Sequence, residues 1–148
     1  MLPATTERVT AHTAEAVNER IRREARDRIA YYAEHPHEIP DRLRELDREW
    51  DIERTLEANA ATLALSGTVL AATVDRRWLA LPALVLGFLL QHALQGWCPP
   101  VPVLRRLGFR TASEIEAERY ALKALRGDFA EMAYAVDKAD AAAQAARH

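Results

Sequence analysis

Apolar positions recur along this chain with more than one rhythm. From about Thr13 to His35, the residues Val17, Ile21, Ala25, Ile29 and Tyr32 return every three or four positions, the period of one face of an α-helix, while Arg and Glu fill the other faces. The run His35-Pro36-His37-Glu38-Ile39-Pro40 breaks that helix, because each proline lacks a backbone donor and pushes its preceding residue out of helical geometry. A second stripe, Leu43, Leu46 and Trp50, predicts a helix from near Asp41. No strong breaker stands between Asp41 and Val74, so this helix is expected to run directly into the centre of the chain.

There the amphipathic pattern disappears. Ala60–Val74 is uncharged and Trp78–Leu90 is more apolar still, with Val74-Asp75-Arg76-Arg77 joining them. So short a link makes the two helices antiparallel neighbours, a helical hairpin. Pro82 falls in the first turns of the second helix, where its missing donor costs least, and Pro99, Pro100 and Pro102 are expected to end it. Beyond them, Ser113 with Glu116 reads as a capping box. Ile115, Leu122, Leu125, Phe129, Met132 and Val136 then recur near heptad spacing, a coiled-coil-like stripe that needs a partner. Residues 137–148 have high helix propensity but no apolar face, and are expected to fray. No segment alternates as a strand does, so the expected fold class is all-α: a two-helix transmembrane hairpin flanked by long amphipathic N- and C-terminal helices.

Composition changes this picture only through its distribution. At 148 residues the chain is one domain's length, and its average of 49% hydrophobic and 28% charged residues resembles that of a soluble protein. Yet from Thr55 to Leu104 the only formal charges are Glu57, Asp75, Arg76 and Arg77. Three parts follow: a charged amphipathic arm with a break at 35–40, an apolar centre, and a second amphipathic arm; the division into 1–50, 51–111 and 112–148 is the one implied by the resemblance given below. A net charge of −2 gives no long-range attraction to nucleic acid. The abundance of Arg over Lys and of Ala points to a GC-rich bacterial source. One cysteine rules out an internal disulfide and a Cys-only zinc site. The N-terminal stretch carries no short apolar run with a small-residue cleavage site, so a cleaved secretory signal is not expected.

Spanning a bilayer core takes about 20 mostly apolar residues, and both uncharged runs are shorter than that. Three features nevertheless favour the membrane. Trp50 and Trp97 flank the open end of the hairpin and Trp78 sits at its tip, the placement of two interfacial aromatic belts. Ala60, Ala64, Gly67 and Ala71 set small residues along one helix face, which lets helix backbones approach closely. Arg48, Arg54, Arg105, Arg106 and Arg110 cluster at the open end, with Arg105 and Arg106 as interface anchors beside the tryptophans. The positive-inside tendency then places both termini in the cytoplasm, although Arg76 and Arg77 at the tip dilute the bias.

The order of features over about 51–111 is Asp51-Ile52-Glu53-Arg54 leading into an apolar helix, a short turn, a second apolar helix, then Gly96-Trp97-Cys98-Pro99 and Leu107-Gly108-Phe109-Arg110-Thr111. It resembles the YgaP-like transmembrane domain of small bacterial inner-membrane proteins, whose members stand alone or follow a rhodanese domain. The resemblance implies a membrane hairpin that associates through its helices. It implies no reaction, and no rhodanese domain is expected in this chain.

The candidate chemistry is sparse. Cys98 follows a helix end, whose partial negative charge disfavours a thiolate. It is therefore read as a packed residue first, and as a persulfide acceptor, redox sensor or acylation site second. His92, with Gln91 and Gln95, lies on the second apolar helix, and these groups are expected to hydrogen-bond across the hairpin to Asn59 or Glu57. His35, His37 and Glu38 read as a polar proline-stiffened turn and not as a metal site. No glycine-rich phosphate loop, Ser-His-Asp pattern or buried acid pair is recognisable.

The expectation is thus a non-enzymatic inner-membrane protein without cofactor or metal. It would act as an anchor or scaffold through self-association, at least to a dimer, and would present cytoplasmic helices to a protein partner. The surfaces expected for association are the Ala60, Ala64, Gly67, Ala71 face and the Leu122, Leu125, Phe129 stripe. A sulfur-carrier or redox role of Cys98 and a soluble oligomeric helical bundle are the alternatives.

Overall fold

The computed structural model describes residues 7–130, and every regular element among them is helical. A single turn, α1 (Arg8–Ala11), precedes α2 (Glu15–Glu34), which carries the first apolar stripe. α2 stops at His35, whose backbone leaves the helical region (φ −124°, ψ 59°), as the Pro36 ring requires. After a 3-10 turn at Pro36–Glu38, α3 (Ile39–Arg48) holds Pro40 in its first turn and buries Ile39, Leu43 and Leu46 on one face.

The uninterrupted helix expected from Asp41 to Val74 is instead two helices. Glu49 is extended (ψ 129°), and Asp51 caps α4 (Ile52–Thr73) by accepting the Arg54 backbone N–H at 2.7 Å. The Ile52 N–H, which also lacks an intrahelical acceptor, donates to the Arg110 carbonyl at 2.9 Å. These two bonds satisfy backbone donors that a helix start otherwise leaves orphaned, so the break needs neither proline nor glycine. Trp50 falls in the break. It is exposed beside the Arg54 guanidinium, 4.3 Å from its ring centroid, and is not part of the α3 stripe.

α4 ends at a turn in which the Asp75 carboxylate accepts the Arg77 N–H at 2.7 Å, followed by a 3-10 turn at Arg76–Leu79 and then α5 (Ala80–Gln95). No other pair of described elements packs as extensively as α4 with α5. Where they meet, a Cβ on Gly67 would lie 2.6 Å from Cδ of Pro82, so this approach requires glycine. The α5 terminus is made by Gly96, in the left-handed region at φ 76°, with its N–H on the His92 carbonyl at 2.7 Å. The prolines expected to stop α5 act later: Pro100 and Pro102 open α6 (Val101–Arg106).

α7 (Ala112–Arg126) begins with a capping box formed by Thr111 and Glu114, not by Ser113 and Glu116. The Thr111 hydroxyl accepts the Glu114 N–H at 3.3 Å, and the Glu114 carboxylate accepts the Thr111 N–H at 2.8 Å. The helix stops at Gly127 (φ 88°), which cuts the expected heptad stripe. Ile115 and Leu122 are buried, Leu125 is exposed and Phe129 lies past the helix end. Met132, Val136 and the tail expected to fray lie outside the described residues.

Two apolar clusters hold these elements. One joins Ile39, Leu43 and Leu46 of α3 to Ile115 and Leu122 of α7, with Tyr32 of α2 against it. The other joins Val9, Ile52, Leu56, Cys98 and Val101, backed by Phe88, Leu104 and Phe109. This second cluster is the junction where the α4–α5 pair meets the rest of the chain.

Candidate functional site

A network of buried ion pairs ties α7 to α2 and α3. Glu118 of α7 has a fully buried carboxylate that accepts hydrogen bonds from Arg28 at 3.0 Å and Arg42 at 2.9 Å, and from Arg110. Arg110 also grips Glu49 through two bonds of 2.7 Å. Burial alone would raise the Glu118 pKa, but the hydrogen bonds from Arg28 and Arg42 and the charge of Arg110 outweigh it and hold the carboxyl at about 2. Arg105, expected as an interface anchor, is fully buried. Its guanidinium donates to Glu114 at 2.6 and 2.8 Å, to Asn18 Oδ1 at 2.9 Å and to the Phe109 carbonyl at 3.1 Å. Its work is to tie α6 to α2 and α7. Arg106, the other expected anchor, is exposed.

The C-terminal end of α5 is closed by the chain's N-terminal turn. Arg8 donates to the Ala93 carbonyl at 2.8 Å, and His12 Nε2 lies 3.1 Å from the Gln95 carbonyl oxygen. A cation here satisfies orphan carbonyls and complements the helix dipole. Gly96 makes room for it, since a Cβ there would lie 2.5 Å from the Arg8 Cβ.

Above this junction the pair changes character. Leu65 is 66% exposed, Leu84 59% and Leu90 61%, and Val69, Val74, Leu79, Leu86 and Leu94 are also open on the outer faces. The polar residues of α4 do not offset this. Thr55, Thr62, Ser66, Thr68 and Thr73 each donate a hydroxyl hydrogen to the carbonyl four residues back, at 2.7–2.9 Å. Asn59 does the same with its amide, to Thr55 at 2.8 Å. Each donor is satisfied by its own helix. Trp50, Trp78 and Trp97 are all exposed.

Ala60, Ala64, Gly67 and Ala71 are buried or half-buried, and Gly67 faces Leu81 and Pro82 of α5. Close contact at that face is made within the chain, so Gly67 is not open to a second copy. Leu122, in the other stripe expected to associate, is likewise enclosed by α3 and α7.

A cavity of about 460 Å³ lies where α4, α5 and the Cys98–Leu104 turn converge, walled by Leu63, Val85, Phe88 and Leu89 with His92 and Cys98 also lining it. Cys98 is 6% exposed and belongs to the junction cluster; burial pushes its thiol above the usual range. His92 is 5% exposed, and neither ring nitrogen has a hydrogen-bond partner among the described residues. The bonds expected from Glu57 or Asn59 are not made, since Asn59 turns its amide back to Thr55 and Glu57 is exposed. In the turn after α2, His35 stacks on Tyr31 at 4.1 Å and pairs with the Tyr31 carbonyl at 2.9 Å.

Of these features, sequence reasoning missed the buried arginines. Arg105 and Arg110 differ from exposed arginines only in having pairing acids nine and eight positions on in α7, a signal that many surface helices share. No protein-family model, no curated protein and no solved structure matches the chain.

Proposed function

We propose that the chain is a non-enzymatic anchor of the bacterial inner membrane. In this reading α4 and α5 form a hairpin through the bilayer, and the ion-paired helices form a cytoplasmic platform that self-associates or receives a protein partner. The observation that carries it is the outer surface of the α4–α5 pair. Leucines and valines stand open on it, and its hydroxyl groups are already satisfied by their own helix. A contiguous apolar surface of this extent on a chain otherwise rich in ion pairs needs lipid or protein to cover it, and in lipid every polar group must be satisfied internally.

Length supports the same reading for α5. Arg76–Gln95, the 3-10 turn and α5 together, is long and apolar enough to cross a membrane, with Trp78 and Trp97 just beyond the two ends of α5. The resemblance of 51–111 to the YgaP-like transmembrane domain agrees with it. One observation favours a second reading, a soluble oligomeric bundle: among the described residues only that one stretch meets the length and composition of a span. A sulfur-carrier or redox role is disfavoured by the burial and raised pKa of Cys98.

Membranes from expressing cells, washed with carbonate, test the proposal. Retention of the chain in the pellet, with reporter fusions at both termini reading cytoplasmic, is the expected result. Full release into the supernatant would overturn it in favour of the bundle, and opposed termini would overturn the hairpin.

A further inference from the structure

We infer that α6 and the turn after it form a third membrane contact, lying in the phospholipid headgroup region with Val103, Leu107 and Trp50 turned to the acyl boundary. This deepens the anchor proposal and rests on it. Among the described residues no large apolar side chain is more exposed than Leu107, at 71%. Val103, one helical turn earlier on the same face, is 57% exposed. Trp50 is exposed too, and it borders the same shallow hollow of about 270 Å³ as Leu107. The three make one patch, on elements separate from the α4–α5 pair.

The depth of the patch follows from the length of α4. A bilayer core of ~30 Å takes about 20 helical residues, and α4 has 22, Ile52–Thr73. With so few to spare, its first turn lies at the cytoplasmic boundary of the core. α6 packs at that level, because Val101 shares a buried cluster with Ile52 and Leu56.

Two features fit the patch to phospholipid. The first is a backbone already closed. The carbonyls of Val103, Leu104 and Arg105 accept the N–H groups of Leu107, Phe109 and Gly108 at 3.0–3.1 Å, and the Arg106 carbonyl accepts the Arg20 guanidinium at 2.8 Å. A helix end in water can leave such carbonyls to solvent, whereas a low-dielectric neighbour requires internal partners. The second is charge. Arg54, over the Trp50 ring at 4.3 Å, and Arg106, beside Leu107, are exposed, and neither joins an ion pair among the described residues. Of the nearby acids, Asp51 caps α4 and Glu49 is held by Arg110. Glu57 lies on the flank of α4 that Glu53 shares, towards Arg8 and α5. The two free guanidiniums thus meet headgroup phosphates at the edge of an apolar patch.

The test reconstitutes the full chain, carrying Cys98→Ser, into vesicles of phosphatidylethanolamine and phosphatidylglycerol. A nitroxide is attached at Leu107→Cys or, separately, at Leu86→Cys on the outer face of α5; both positions are exposed. Accessibility to oxygen, which concentrates among acyl chains, is measured against accessibility to a water-soluble nickel chelate. The oxygen-to-nickel ratio at Leu107 should exceed several-fold that of the same nitroxide carried by glutathione in the vesicle buffer. A ratio at Leu107 equal to the glutathione value, while Leu86 reads as lipid, overturns the inference and leaves the anchor reading standing. A nitroxide at Leu107 shielded from both reagents also overturns it, because the patch then belongs to a protein contact. If Leu86 itself reads as water, the anchor reading fails and takes this inference with it.

Discussion

Glu118→Gln tests whether the ion-paired network organises the charged half of the chain. Glutamine keeps the shape of the side chain and stands for its protonated form, so the cost can be worked from the carboxyl's titration. In the folded chain three arginines hold Glu118 at about 2, against an ordinary value of 4.5. At about 1.4 kcal/mol for each pK unit, that difference is worth roughly 3 kcal/mol at neutral pH. It agrees with the 3–5 kcal/mol that breaking one side of a buried ion pair typically costs. The group's pKa is lowered by folding, so its contribution is fully present above about 4.5 and is lost as pH falls through 4.5 towards 2. Urea unfolding of wild type and Glu118→Gln in micelles, followed by tryptophan fluorescence, should therefore show a gap of roughly 3 kcal/mol at pH 7 that narrows below pH 4.5. Trp50 is a suitable reporter because it adjoins Glu49, a partner of Arg110. A gap below about 1 kcal/mol at pH 7, or one that stays constant down to pH 2.5, would refute the reasoning.

Gly67→Ile should destabilise the single chain by at least about 1–3 kcal/mol, because the added side chain meets the Pro82 ring; unfolding at a dilution where the chain is monomeric measures this, and an effect seen only on association would reassign that face to a contact between copies. Asp51→Ala should cost about 1 kcal/mol through the lost α4 cap, read as a lower urea midpoint, and an unchanged midpoint would mean that the Ile52–Arg110 bond alone fixes the break. Cys98 should alkylate slowly at pH 7 and accelerate only above about pH 9, in keeping with a thiol raised from 9.0 by burial; a midpoint below 8 would restore the thiol as a reactive centre. Cys98→Ser should cost about 1 kcal/mol, for a hydroxyl placed in an apolar cluster, and a much larger loss would show that packing at that position is tighter than its burial indicates.

The all-helical class, the break at Pro36 and the two apolar helices with Pro82 in the first turn of the second were legible in the sequence, whereas Pro40, read as part of that break, lies in the first turn of α3 behind a helical Ile39. Each rests on local rules, namely the period of a stripe, the geometry a proline imposes and the reach of a short link. Gly127 is a signal of the same kind that the heptad pattern concealed: the spacing continues through it, but its left-handed backbone ends α7. The break at Glu49–Asp51 lacked a comparable mark. A tertiary bond from Ile52 to the Arg110 carbonyl helps hold it, and nothing in a single stretch of chain announces a partner 58 positions away.

The same limit governs the side chains. The sequence by itself determined that small residues line one face of α4, but it did not determine that α5 of the same chain packs on that face at Gly67, because intrachain and interchain packing ask for the same residues. It placed Arg105 and Arg110 beside an apolar segment, where arginines serve equally as lipid anchors or as buried pair-makers. Only the convergence of α2, α3, α6 and α7 put Glu114 and Glu118 within hydrogen-bond reach and drew both guanidiniums inside. His92 is the converse case. Its position on an apolar helix led to an expected partner across the pair, while the fold turned Asn59 back on its own helix and left both imidazole nitrogens buried without a partner among the described residues. Local geometry follows from neighbouring residues, whereas the choice of partner for a buried polar group depends on which distant elements the fold brings to it.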